Sequence, residues 1–175
     1  AQKIELPDQL YKRVIEVSGR YSADGEEIVP LELESAKKEL EEAYKAGIRS
    51  AAVILMHSYR YPEHELKLGR LATEIGFTQI SLSHQASPLI KFVSRGETAV
   101  VDAYLSPVLR RYVDMVEESL QEKGRKEERK IPGNPAEVSE MKYSAVNGPK
   151  LMFMQSSGGL IDSGIFQGKD CILSG

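Results

Sequence analysis

The sequence predicts an α/β protein with a parallel βαβ core and flanking helices, and three observations carry that prediction. The run "AAVILM", residues 51 to 56, is apolar throughout and too short for an independent helix. It fits a strand buried on both faces of a parallel sheet. The stretch "YPEHELKLGRLATEIG" follows, with Pro62 expected at the first helical position, where its missing N–H costs nothing. Glu63 and Glu65 fall in the first turn, where they complement the helix dipole, and Gly76 marks the end. A second strand, "FTQISLSH", comes next with Phe77, Ile80 and Leu82 apolar. Strand, helix and strand with short links over residues 48 to 84 make a right-handed crossover.

The elements outside this unit follow in order. Val14, Glu16 and Ser18 alternate with Ile15 and Val17, so a strand is expected there. A turn at Ala23-Asp24-Gly25 leads to a short second strand near Glu27 to Val29. The stretch "ESAKKELEEAYKAG" reads as a helix capped by Ser35 and stopped by Gly47. Its Ala36, Leu40, Ala43 and Tyr44 share one face. Thr98 is placed to cap a helix running to about Leu105, and Ser106-Pro107 reads as a kink or a second start. Val108, Leu109, Tyr112, Val113 and Val116 then form an apolar stripe at helical spacing. Residues 121 to 150 hold a dense charge run with prolines and glycines, the composition of a solvated insertion or linker. Leu151 to Met154 read as a strand, Ser156-Ser157-Gly158-Gly159 as a polar turn, and Asp170 to Leu173 as the start of another apolar segment.

Composition narrows the classes. The net charge of −3 over 175 residues gives no basic field to hold nucleic acid. No run approaches the ~18 apolar residues of a membrane helix. The single cysteine, Cys171, excludes an internal disulfide framework, so a reducing, cytoplasmic setting is the default. Cys171 sits in an apolar run and reads as a small buried hydrophobe, with no activating partner nearby in sequence for a nucleophile.

Three places could carry chemistry. His57 and Ser58 lie at the carboxyl end of the first parallel strand, with His64 and Glu65 at the start of the next helix. Ligands of open α/β sheets bind at that edge. A polar turn that merely satisfies backbone groups would look the same. His57 and His64 are seven apart and match no local zinc pattern. Arg95, Thr98 and Asp102 surround a helix start that favours anions, or else Arg95 pairs with a surface carboxylate. Ser157, Gly158 and Gly159, with Ser174 and Gly175 at the second Ser-Gly turn, are the candidates for nucleotide or phosphate contact.

Four ordered blocks carry a resemblance: "VILMHSYRYPEHELKLGRLATEIGFTQISLS", "RGETAVVDAYLSPVLRRYV", "LMFMQSSGGL" and "CILSG". Together they resemble the hydantoinase A, 5-oxoprolinase and acetone carboxylase family, and its ATP-dependent 5-oxoprolinases in particular. The resemblance covers roughly residues 10 to 120 and 151 to 175. It implies an actin-like ATPase fold with ribonuclease-H-like lobes, ATP and Mg²⁺ as cofactors, and 5-oxo-L-proline as substrate. Residues 1 to 120 would end the N-terminal lobe and include an interlobe helix. Residues 121 to 150 would be an insertion, and 151 to 175 would begin the hydantoinase A lobe.

Departures from the family pattern shape the expectation. The family's phosphate loop, of the form D-x-G-G-T-x-T-D, is absent from this sequence, and the family's S-G-P-A-G-G is represented only by Ser174-Gly175. The chain is therefore expected to be an internal piece of a longer enzyme, inactive alone and partnered by the remainder of the polypeptide, with the whole forming a homodimer. The alternatives are a hydantoinase or acetone carboxylase subunit of the same family, or a non-catalytic α/β interaction module.

Overall fold

A computed structural model describes residues 9 to 128 and 151 to 171. The chain divides into two compact units, 1 to 107 and 108 to 175. Among the described residues the architecture is mixed α/β, with small parallel and antiparallel sheets.

In the first unit, β1 (Arg20–Tyr21) pairs antiparallel with β2 (Glu27–Val29). The strand expected at 14 to 18 does not form. Ile15 packs against the core cluster while Val14 is exposed, so the alternation records one anchored side chain rather than a ladder. Helix α1 (Leu33–Lys45) starts two residues before Ser35. Glu32 is its N-cap, with no side-chain cap bond, which corrects the expected Ser35 cap.

Strand β3 (Ser50–Val53), helix α2 (Glu63–Ile75) and strand β4 (Gln79–Leu82) form the expected crossover. The strands pair in parallel, Ser50 opposite Gln79 through Val53 opposite Leu82. Pro62 is the N-cap of α2 rather than its first helical residue. Gly76 ends the helix at φ +111°, a conformation that costs a residue with a Cβ but not glycine.

Alternation along β4 sorts its two faces. Ile80 joins the cluster of Ala43, Ala72 and Phe77, and Leu82 lies against Gly69 of α2. Ser81 points the other way and donates to Asp102. The strands thus lie between α1–α2 and the helix that carries Asp102. Residues 51 to 53 are half-buried rather than buried on both faces, because β3 has a single strand neighbour among the described residues.

A short helix α3 (Ser83–Ala86) follows β4. Helix α4 (Phe92–Glu128) then runs for 37 residues with Pro107 inside it. It begins well before Thr98, whose Oγ1 donates to Ser94 O within the helix at 2.9 Å, so Thr98 is not a cap. Ser106-Pro107 neither ends nor restarts the helix. The helix also enters the charged stretch that begins at residue 121, and residues 129 to 150 lie outside the described residues.

In the second unit the predicted stripe is only partly covered. Val113 is buried, whereas Val108 and Tyr112 are half exposed. Strand β5 (Met152–Met154) pairs antiparallel with β6 (Leu160–Asp162) around the Ser156–Gly159 turn. Phe153 stacks on Phe166 at 4.8 Å, and Ser163 donates its hydroxyl to Glu117. The apolar segment expected from Asp170 is a 3-10 turn at Gly168–Cys171, and residues 172 to 175 lie outside the described residues.

Candidate functional site at the strand ends

The first unit concentrates its polar chemistry at the carboxyl ends of β3 and β4. Glu65 is the third residue of α2 and is fully buried. Leu68 and Ala72 occupy the same helix face and are also buried, which is why the carboxylate is drawn inward while Glu63 stays exposed. A buried carboxylate survives only with donors around it. Glu65 Oε1 accepts from Leu55 N at 2.9 Å, Ser58 Oγ at 2.7 Å and Ser83 Oγ at 2.5 Å. Oε2 accepts from the His84 amide at 3.2 Å and from its ring at 2.7 Å. The carboxylate acceptor assigns the His84 proton to Nδ1.

This one side chain ties together the end of β3, the loop after it, and the β4–α3 junction. Ser58 and Ser83 are buried with it. Ser58 Oγ also lies 2.9 Å from Leu55 O, so its single proton serves one of two acceptors at a time. The preceding residue, His57, adopts φ +63° and is the single non-glycine with positive φ among the described residues. Its carbonyl accepts from Arg60 N and Tyr61 N, which closes the turn. His57 is half-buried, with its ring 6.3 Å from that of Tyr59.

The other predicted residues go to different places. His64 is buried, and Nε2 donates to Glu27 at 2.6 Å while its ring lies 4.4 Å from that of Tyr21. It thereby fastens the β1–β2 hairpin to α2. Burial, then the charges of Glu27 and Glu63, push the Tyr21 phenol up. Asp102 is buried and accepts from Ser81 at 2.6 Å and Ser106 at 3.1 Å, joining β4 to α4. Arg95 is fully buried, and its Nη2 donates to Leu55 O at 2.6 Å rather than to a surface carboxylate. The structure therefore gathers Ser58, Glu65 and Arg95 around Leu55. His64 and Thr98 bond elsewhere.

Sequence reading missed Ser83, His84 and Ser81. Ser81 and Ser83 alternate through the end of β4, which was a usable period-two signal, whereas His84 lies in α3 and has no such signal.

The Ser157-Gly158-Gly159 turn is exposed. Gly158 adopts φ +87° and spends its amide on Gln155 O at 2.9 Å, while Gln155 N donates to Gly159 O at 2.7 Å. The anchor of this turn is Asp170, which sequence reading took for part of an apolar segment. Its Oδ1 accepts from Gln155 Nε2 and its Oδ2 from Gln167 N, both at 2.9 Å. Its carbonyl accepts from the Ser156 amide and hydroxyl. Partial burial, then the charge of Asp170, push the neighbouring Cys171 thiol up. The candidates Ser174 and Gly175 lie outside the described residues.

Among the described residues no helix is long and apolar enough to cross a membrane. A groove of about 360 Å³ lies between α1 and α2, lined by Lys37, Glu41, Tyr44 and Glu74 among others, away from the strand ends.

Comparison with known proteins identifies the family. Residues 2–76 match the hydantoinase/oxoprolinase N-terminal region, and residues 95–175 match the hydantoinase/oxoprolinase family. The chain is 38% identical over 141 residues to a 5-oxoprolinase of Saccharomyces cerevisiae, covering 81% of this chain and 9% of that protein. It is 35% identical over 176 residues to a 5-oxoprolinase of Dictyostelium discoideum, covering 99% of this chain and 12% of that protein. It thus spans about a tenth of the length of these relatives. The crystal structure of an ATP-dependent caprolactamase from Pseudomonas jessenii superposes with a TM-score of 0.69 at 23% identity, over 86% of this chain and 19% of that one. At that identity the likeness carries the fold.

Proposed function

The chain belongs to the hydantoinase/oxoprolinase family, and from that premise we propose that it is part of an ATP-dependent enzyme that opens 5-oxo-L-proline. The carrying observation is the ordered match to both family regions along one chain, with 5-oxoprolinase relatives at 35–38% identity. The proposed reaction converts 5-oxo-L-proline, ATP and water into L-glutamate, ADP and phosphate. An unstrained lactam resists hydrolysis. Transfer of the γ-phosphoryl group to its amide oxygen would activate the ring carbon: one water adds there, the C–N bond breaks to free the amine and leave an acyl phosphate, and a second water releases the phosphate. The proposed whole is an actin-like, cytoplasmic homodimer that uses Mg²⁺ to neutralise the phosphates.

The described residues do not by themselves fit a nucleotide. The Gly158 amide is already bonded to Gln155, and the turn is anchored by its own Asp170. No step of the phosphoryl chemistry is therefore assigned to them. We assign Ser58, Glu65, Arg95 and Asp102 to the frame that holds the carboxyl edge of the β3–β4 sheet. His57, half-buried on its left-handed turn, is the strand-end candidate for reaching a ligand.

The test compares the full-length protein with the 175-residue chain, each given Mg-ATP and 5-oxoproline, ε-caprolactam or hydantoin. The expected result is phosphate and glutamate in equal amounts from the full-length protein with 5-oxoproline, and no turnover by the short chain. A full-length protein that ignores 5-oxoproline but turns over caprolactam or hydantoin would overturn the substrate assignment.

A further inference from the structure

The corner between β3 and α4 leaves a buried cation short of acceptors. Arg95 is fully buried. Nη2 has Leu55 O, but Nε and Nη1 are buried without a hydrogen-bond partner among the described residues. A guanidinium carries five N–H donors, and burying it with so few acceptors is costly. Its Cζ lies 5.6 Å from the Tyr59 ring centroid and 5.9 Å from that of Phe92. Those rings offer their faces but no lone pair able to satisfy the orphaned N–H groups.

The chain around this cation is apolar and bare. Leu89 is 56% exposed, Ile90 68%, Phe92 41% and Val93 68%, and Met56 beyond β3 is 42% exposed. Five large apolar residues exposed on the two segments that lead to one buried arginine are unusual for a free surface. The arginine asks for a negative or strongly accepting group, and the rim asks for apolar cover.

We propose that this corner is a docking surface for another segment of the same polypeptide, lying outside residues 1 to 175. That segment is apolar along its length and carries an Asp or Glu whose carboxylate pairs with Arg95. Charge complementarity selects the carboxylate, since an oxyanion is the strongest partner for an unsatisfied guanidinium. The relatives supply room for it, because this chain spans only 9% and 12% of their lengths. The inference rests on the reading of the chain as part of a larger protein and is independent of the substrate.

The experiment is photo-cross-linking in the full-length protein, with benzoylphenylalanine placed separately at Ile90 and Val93, followed by peptide mass spectrometry. The expected product joins either position to an Asp- or Glu-containing peptide of the same polypeptide outside residues 1 to 175. Arg95→Met should remove most of that product, and Arg95→Lys should retain part of it. Cross-links confined to residues 1 to 175, cross-links to a second copy, or no cross-link at either position would overturn the proposal. A yield indifferent to Arg95→Met would overturn the carboxylate pairing. If Arg95→Met does not fold, the map obtained with arginine in place still decides where the surface docks. A loss of the 5-oxoproline reading would leave this map unchanged, so the two failures are distinguishable.

Discussion

The strand-end cluster around Glu65 and the hairpin turn at Ser157–Gly159 solve opposite problems. Glu65 is fully enclosed, and its two oxygens take donors from four residues as far as 19 positions away. The turn is exposed and closes on partners within four residues, with one carboxylate at Asp170 as its brace. Long-range polar burial makes the first region a joint between secondary-structure elements. Local bonding makes the second a self-contained bend. A glycine-rich turn looks like ligand chemistry in a sequence, and a Glu in a helix's first turn looks like surface. In this chain the Glu is the hub.

The largest expected effect falls on the hub. Glu65→Leu strands the Leu55 amide, the two serines and His84 in a buried setting, so unfolding free energy should drop by about 3–5 kcal/mol in urea denaturation. A loss below about 1 kcal/mol would show that the cluster behaves like a surface pair and would erase the contrast. Next comes Asp102→Ala, which leaves Ser81 and Ser106 without their shared acceptor. The expected cost is about 2 kcal/mol by the same measurement.

The turn should respond through its backbone alone. Gly158 has φ +87° and nothing within 4 Å of an added Cβ. Gly158→Ala should therefore cost about 1–2 kcal/mol, all of it conformational. At Gly159 an added Cβ meets the Gln155 side-chain amide at 3.1 Å, a group also bonded to Asp170, so Gly159→Ala should cost less than Gly158→Ala. Equal costs at the two positions would mean that contacts, not φ, govern the turn.

The smallest effect concerns Cys171. Its raised thiol pKa leaves less thiolate at a given pH, so iodoacetamide should react more slowly than with a free cysteine at pH 8. Asp170→Asn should speed the reaction by removing the adjacent charge. A wild-type rate at or above that of free cysteine would contradict the assigned shift.

Much of the fold was legible because its signals are local. The apolar run at 51 to 56, the Pro62 boundary and the Gly76 stop gave the crossover, and Ala36, Leu40, Ala43 and Tyr44 gave the buried face of α1. The start of α4 was hidden by its chemistry. Its inward face carries Arg95, Ala99, Asp102, Ala103 and Ser106 at helical spacing, and three of these five are polar. A hydropathy pattern cannot see a stripe like that, because its residues are buried by pairing rather than by apolar character. The same holds at the site. His57, Ser58 and Glu65 could be singled out from their place at a strand end. The joining of Glu65 to Ser83 and His84 depends on parallel register, which brings residues 18 and 19 positions apart together. Asp170 was obscured by its apolar neighbours, and its bonds to Gln155 and Ser156 cross 15 and 14 positions of sequence.

The account's central claim is that the Glu65 network is a frame and not the reacting group. Glu65→Gln in the full-length protein tests it most directly, with hydrogen exchange of the peptide containing Leu55 and turnover of 5-oxoproline read on the same sample. The predicted result is faster exchange at Leu55, which loses its charged acceptor, with kcat in the folded fraction close to wild type. Unchanged exchange together with a fall in kcat of about a hundredfold or more would contradict the claim and make Glu65 a catalytic residue.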